Sequence, residues 1–201
     1  TQEKSRELLE AMDGHIARDP NDTGDGYLIG NIYMDTENSD VIRRSLSKPY
    51  YKEKLRLRSY GTPMSLDDPV YLELKKKIGQ SGNKRRAVLT LGEAYNFLEW
   101  GTIPHPGDYE SRQAVREIAY YLENNPVAPS TYIGYRRFAY FDRDNEGVRI
   151  TFDCDIHTRN NDLRLESGNY GKLLIGDRSL LEIKAQGAIP LWLTQLLARQ
   201  G

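Results

Sequence analysis

Six stretches of the chain alternate charged and apolar residues with a period of two. The clearest is KLRLR at residues 54–58, and the others lie at 71–75, 84–86, 135–137, 149–153 and 180–184. Successive side chains of a β-strand point to opposite faces, so each stretch predicts a strand with one apolar and one ionic face. Most of the ionic positions are Lys or Arg. Clustered positive charge that recurs on several strands favours a polyanionic ligand over plain solvation.

Helical periodicity and turn-forming residues divide the rest of the chain. Helices are predicted at 1–16, 40–46, 91–100 and 109–123 and from residue 190 onward. The strands, which include the six alternating stretches, are predicted at 27–34, 51–60, 70–78, 84–89, 129–140, 148–155 and 179–185, with two weaker ones at 163–165 and 173–175. About eight antiparallel strands with flanking helices make this an α+β protein. A strongly twisted sheet of that size can close into a β-barrel, which would bring the ionic faces inside.

Composition favours one domain with locally segregated charge. The 201 residues contain no Pro/Gly/Ser-rich linker, and the net charge is −1, so the chain as a whole is not typical of a nucleic-acid-binding protein. The single cysteine, Cys154, excludes an internal disulfide and fits a reducing, cytoplasmic compartment. No apolar run approaches the roughly 20 residues that a membrane-spanning helix needs.

Basic residues on the predicted ionic faces suit a chain of phosphates. They are Arg56, Arg58, Lys75, Lys84, Arg86, Arg137, Arg149 and Lys184. Arginine offers a planar fork for bidentate contact with phosphate oxygens, and lysine offers a mobile point charge. Packed together without a ligand, these groups would repel one another. We therefore expect that Arg56→Ala or Arg137→Ala weakens phosphate binding and leaves the fold intact.

Few acidic residues share these ionic faces. The candidates are Glu73 and Glu182 and, with less support, Asp153 and Asp155. Carboxylates beside phosphate suit Mg²⁺ or Mn²⁺, which take few protein ligands and share the phosphate oxygens. A salt bridge to a neighbouring cation is the alternative for both glutamates. The sequence has no glycine-rich phosphate loop of the GxxxxGK type, so side chains would have to bind any nucleotide.

The ordered motifs resemble the polyphosphate polymerase (vacuolar transporter chaperone, VTC) domain. That domain belongs to the triphosphate tunnel metalloenzymes, together with the CYTH proteins. The motifs are KLRLRSYG at 54–61, YLELK at 71–75, KRR at 84–86, YRRFAY at 135–140, VRITFDCD at 148–155 and LEIK at 181–184. Their order and spacing extend the resemblance over residues 27–197.

The resemblance implies an eight-stranded antiparallel tunnel. It also implies that the protein is a metal-dependent phosphotransferase, which passes the γ-phosphate of ATP or another nucleoside triphosphate to inorganic polyphosphate inside this tunnel. The attacking group would be a phosphate oxygen, so no side-chain nucleophile is expected. The resemblance implies that Arg56, Arg58, Lys75, Lys84, Arg137 and Arg149 hold the phosphate chain and that Glu182 carries the divalent metal, Mn²⁺ or Mg²⁺. We accordingly predict a catalytic role for Arg56, Arg58, Lys75, Arg137, Arg149 and Glu182. Glu73 remains a second candidate metal ligand because it shares the ionic faces. Two alternatives remain open: a tripolyphosphatase or nucleoside triphosphatase on the same scaffold, and a non-catalytic polyphosphate sensor.

The resemblance also sets an expectation for the two ends of the chain. The family's first tunnel strand would lie before Thr1, and a basic segment containing Ser and Lys would follow Gly201. We therefore expect residues 1–201 to form a single tunnel domain that lacks both segments.

Overall fold

The computed structural model describes residues 1–200, apart from the side chains of Gln2 and Gln200. Its helices are α1 (Gln2–Ala11), α2 (Asp40–Leu46), α3 (Leu91–Trp100), α4 (Tyr109–Asn124) and α5 (Leu191–Gln200). Its strands are β1 (Ile16–Arg18), β2 (Tyr27–Asp35), β3 (Tyr51–Tyr60), β4 (Pro69–Ile78), β5 (Ser81–Thr90), β6 (Ala128–Asp142), β7 (Val148–Arg159), β8 (Lys172–Leu173) and β9 (Leu180–Ala185). The predicted α+β class is confirmed.

The strands form a large antiparallel sheet in the order β5-β4-β3-β2-β6-β7-β8, with β1 beside β6 and β9 beside β7. Within residues 1–200, no pairing connects β5 to the opposite end of this order. A barrel requires that its edge strands pair with each other, so the closed eight-stranded barrel is not confirmed. No helix in the same part of the chain is long and apolar enough to cross a membrane.

Two local predictions are wrong. The first helix ends at Ala11 instead of near Ile16, because a turn with Gly14 at φ +85° follows it, and Ile16 pairs in β1 with Asp142. Residues 163–165 form a loop instead of a strand. The buried guanidinium of Arg159 explains this loop, because it donates hydrogen bonds to four carbonyl oxygens at 2.8–3.2 Å. These belong to Asp162, Arg164, Gly168 and Tyr170.

The residues cluster into two compact units. The first comprises Thr1–Leu28, Tyr135–Ile156 and Leu173–Gly201, and the second comprises Ile29–Gly134 and His157–Lys172. The core of the first unit contains apolar residues of α1, β7 and α5, among them Met12, Ile150 and Leu193. This core covers the apolar face of β7, and the ionic face of that strand is turned away from it.

In the second unit, the apolar positions of β3 and β4 lie in one core with α3 and α4. Leu55 and Leu57 of β3 and Leu72 and Leu74 of β4 are fully buried. The alternation that predicted these strands is therefore confirmed, and the helices cover their apolar faces. Helix α3 begins with a capping box in which Thr90 and Glu93 satisfy each other's backbone N–H groups.

Candidate functional site

In the second unit, four basic side chains surround one buried carboxylate. Glu73 of β4 is only 1% exposed and lies between β3 and β5. Arg56 and Arg86 stand directly opposite it on these strands. Arg56 Nε donates to Oε2 at 2.7 Å, and Lys84 Nζ and Arg86 Nε donate to Oε1 at 3.0 and 2.8 Å. Arg58 Nε lies 3.9 Å from Oε2. We call these five residues the Glu73 cluster.

The surrounding cations keep Glu73 ionised. Burial alone would raise the pKa of its carboxyl group, but the charges of Arg56 and Arg58 and hydrogen bonds from Lys84 and Arg86 lower this pKa to about 2. A buried charge is tolerated only when it is paired and hydrogen-bonded, and Glu73 meets both conditions. The carboxylate therefore acts as an internal counter-ion that offsets part of the repulsion among the basic residues.

The Glu73 cluster borders a cavity of about 190 Å³. Lys54 and Lys75, which stand opposite each other on β3 and β4, also line it. Like charges at directly opposite positions are destabilising unless a counter-charge is present. Burial, followed by the charges of Lys52 and Lys75, lowers the pKa of Lys54. We did not select Lys54 from the sequence, although the alternation of β3 places it on the same face as Arg56.

Basic residues at the alternate positions belong to a different environment. Arg85 of β5 donates to Glu117 of α4 at 2.7 Å. Lys76 of β4 lies 3.4 Å from Glu117 and 3.5 Å from Glu53. These pairs connect the strands to a helix and do not include Glu73. The period-two pattern therefore separates the cations around Glu73 from those that pair with helix α4 within the same strands.

In the first unit, Arg137 of β6 forms a bidentate ion pair with Asp153 of β7. Its Nε and Nη2 donate to the two carboxylate oxygens at 2.6 and 2.7 Å, and Asp153 is 4% exposed. Burial would lower the pKa of Arg137, but the hydrogen bond to Asp153 and the charges of Tyr135, Asp153 and Tyr27 together outweigh burial and raise this pKa. On β9, Glu182 lies 3.8 Å from Arg137 and 3.3 Å from Lys184. We call these four residues the Asp153 cluster.

Arg149 lies on β7 on the same face as Asp153, four residues earlier in the strand. Its Nη2 donates to Asp19 at 2.9 Å and to the Tyr27 hydroxyl at 3.2 Å. Within residues 1–200, its Nε is buried without a hydrogen-bond partner, and so is the Thr151 hydroxyl. Buried donors without acceptors are rare in proteins. Two such groups on the ionic face of one strand suit a ligand that brings oxygen atoms.

The two glutamates differ in how well they suit a divalent cation. Glu73 does not fit, because Lys84, Arg86 and Arg56 already occupy its two oxygens; the salt-bridge alternative describes its contacts. Glu182 fits better, since its side chain is 43% exposed and its two cationic contacts are longer than 3.2 Å. No group of three or more His, Cys, Asp or Glu suited to a metal occurs in the described part of the chain. An ion held by Glu182 would share the oxygens of a bound phosphate, as Mg²⁺ and Mn²⁺ commonly do.

Comparison with known proteins identifies the family of the chain that carries these clusters. The VTC domain family matches the chain over residues 1–201. The chain belongs to the VTC domain family. This result confirms the resemblance that the ordered motifs indicate, and it supports a polyphosphate-related role for the domain.

Solved structures that are similar to this VTC domain include two bacterial proteins. One is a candidate adenylate cyclase from Bacillus halodurans, with 15% sequence identity and a TM-score of 0.51, covering 100% of this chain and 82% of that one. A candidate adenylate cyclase from Vibrio parahaemolyticus has 10% identity and a TM-score of 0.42, covering 99% and 78% of the two chains. At 15% identity, the likeness to the Bacillus protein shows the fold alone. No curated protein matches the chain.

Proposed function

We propose that residues 1–201 act as one catalytic domain that transfers the γ-phosphate of a nucleoside triphosphate to inorganic polyphosphate. The observation that carries this proposal is the Glu73 cluster, in which four cations share a single carboxylate beside a cavity. Lys54 and Lys75 add positive charge to the same cavity. Such an excess of cations favours a ligand with several negative oxygens, and family membership points to polyphosphate.

Glu73 prepares the cluster for this ligand by fixing the geometry of its cations. Each guanidinium has five N–H donors, and Glu73 uses only some of those on Arg56 and Arg86. Arg56 also donates to the Tyr33 hydroxyl and Arg86 to the Tyr60 hydroxyl, and the donors that are still left can bind phosphate oxygens. Cations that are already in position stabilise developing negative charge without a large reorganisation, which is the main requirement in phosphoryl transfer.

The remaining predicted site residues belong to the first unit. We propose that Glu182 holds Mn²⁺ or Mg²⁺ and that Arg137, Arg149 and Lys184 contact phosphate oxygens. A divalent ion bound there would offset negative charge on the phosphate oxygens that these residues contact. Asp153 orients Arg137 through its bidentate pair. The free, buried Cys154 supports a cytoplasmic location for the protein.

The test is to incubate the protein with ATP and Mn²⁺ and to analyse the products on a polyphosphate gel. The transferase is supported if the unaltered protein makes long polyphosphate and the variants Arg56→Ala and Glu182→Gln do not. Arg85→Ala is the matched control, because Arg85 pairs with Glu117 away from Glu73 and its loss should leave the product unchanged. Release of phosphate without polymer would instead identify a hydrolase. Tight, salt-sensitive polyphosphate binding without turnover would identify a sensor.

A further inference from the structure

A second cavity of the second unit adjoins the Glu73 cavity. It has a volume of about 350 Å³ and lies between β2, β6 and helix α2. Tyr33 and Lys54 line both cavities, so they form the boundary between the two. We call this space the α2 pocket. Its size falls at the lower end of the range for small-molecule sites, which is about 300–1,000 Å³.

The walls of the α2 pocket are chemically unlike those of the Glu73 cavity. Val41 and Ile42 of α2 and Ile133 of β6 supply apolar surface, and Ser130 and Thr131 supply hydroxyl groups. Mostly apolar walls with a few hydrogen-bonding groups are typical of sites that bind an uncharged organic group, and they offer little to bind a phosphate chain.

Asp35 makes the two adjoining cavities differ in charge. Its carboxylate accepts hydrogen bonds from the backbone N–H groups of Val41 and Ile42 at 2.8 and 3.1 Å, and this holds α2 against the end of β2. Asp35 also lines the α2 pocket, so its negative charge would repel a phosphate group there. Next to it, Lys54 and the Glu73 cavity attract phosphate. A ligand with one uncharged and one highly anionic end would therefore enter in a single orientation.

We propose that the α2 pocket binds the nucleoside of the triphosphate donor, with the phosphates extending past Lys54 toward Arg56 and Glu73. This inference rests on the proposed function, because it assumes that the Glu73 cavity takes the triphosphate of the same molecule. Lys54 sits where the nucleoside meets the phosphates and neutralises the part of the chain nearest the sugar. The pocket thus makes the donor a nucleotide instead of any triphosphate ester.

The test compares ATP with methyl triphosphate, which carries the same charge and lacks the nucleoside, by calorimetry in the presence of Mg²⁺. We expect ATP to bind the unaltered protein at least about tenfold more tightly. Val41→Trp fills the pocket and should remove this preference while methyl triphosphate binds as before. Leu46→Trp is the matched control, because it places the same indole on an exposed position of α2 that does not line the pocket. If Val41→Trp fails to fold, Thr131→Phe fills the pocket from β6.

The possible results separate this inference from the proposed function. Equal affinity for the two ligands in the unaltered protein, or a preference for ATP that survives the filled pocket, overturns the nucleoside site alone. Loss of both affinities in Val41→Trp, with its fold intact, also overturns that site, because the change would then act on the phosphate cavity. Failure of the unaltered protein to bind either ligand overturns the proposed function together with the nucleoside site.

Discussion

The Glu73 and Asp153 clusters are built from the same residue types but differ in their charge balance. Around Glu73, four positive side chains share one negative charge. In the Asp153 cluster, Arg137 and Lys184 face Asp153 and Glu182, so positive and negative charges are equal in number. The Glu73 cluster therefore has positive charge to spare for an anion, whereas the Asp153 cluster is balanced without a ligand.

The clusters also differ in how their buried carboxylates are satisfied. Glu73 has three hydrogen-bonded cations, so the loss of one leaves it paired with the others. Within residues 1–200, the ion pair of Asp153 is with Arg137 alone. A cation in the first arrangement can contribute mainly to ligand binding. Arg137, in contrast, should contribute to stability as well as to any contact with phosphate.

The largest expected effect is on stability and concerns Arg137→Ala. This change leaves the carboxylate of Asp153 buried without its partner, so the free energy of unfolding should fall by about 3–5 kcal/mol. For a chain of this length, that corresponds to a decrease in the melting temperature of roughly 6–20 °C. The contact thus revises our expectation from the sequence that Arg137 could be removed without cost to the fold.

Differential scanning calorimetry without ligand measures this effect, and Arg136→Ala is the matched control. Arg136 is the neighbouring residue on β6, and its Nη1 donates to the backbone oxygen of Asp25 at 3.0 Å instead of to a carboxylate. Its removal should change the melting temperature by only a few degrees. Equal decreases in the two variants would show that the pair with Asp153 does not make Arg137 more important for stability than its neighbour.

The period-two alternation accounts for how much of the fold could be predicted. It identified strands β3, β4, β5, β6, β7 and β9, because an apolar side chain at every second position can only be satisfied by one covered face. Leu55 and Leu57 are buried as predicted, and Arg56 faces the cavity. The same rule explains why Arg85 and Arg86, adjacent in sequence, have Glu117 and Glu73 as partners.

What alternation could not predict is the register between strands. The register decides which residues stand opposite each other. It places Glu73 opposite both Arg56 and Arg86 and brings Asp153 to Arg137, through pairings between segments that are far apart in sequence. Without the register, the basic residues looked like an uncompensated group. Sheet closure was also beyond the pattern, since alternation defines the faces of a sheet but not whether its edges meet.

The second effect is a dependence of stability on pH that belongs to Glu73. Its pKa of about 2 in the folded protein lies below the ordinary value of 4.5, so its ion pairs are intact above pH 4.5 and are lost as the pH falls toward 2. One pKa unit corresponds to about 1.4 kcal/mol, and the stability lost over this interval should be about 3 kcal/mol.

Urea unfolding of the unaltered protein and of Glu73→Gln between pH 7 and pH 2 measures this contribution. The variant should be less stable at pH 7, and the difference between the two proteins should shrink as the pH falls below 4.5. A difference that stays constant with pH would show that the ionised carboxylate of Glu73 does not stabilise the cluster.

The smallest expected effect in free energy, and the most specific to binding, is that of Arg56→Ala. Loss of a charge-assisted contact should weaken tripolyphosphate binding at least about tenfold, or about 1.4 kcal/mol. Because Lys84 and Arg86 still pair with Glu73, unfolding should change by less than about 1 kcal/mol. Titration calorimetry and melting curves of the same sample measure both, with Arg85→Ala as the control that retains affinity. If Arg56→Ala destabilised the protein as much as Arg137→Ala does, the Glu73 cluster would be a structural ion-pair network like that of Asp153. Its excess positive charge would then stabilise the fold and would not indicate a bound anion.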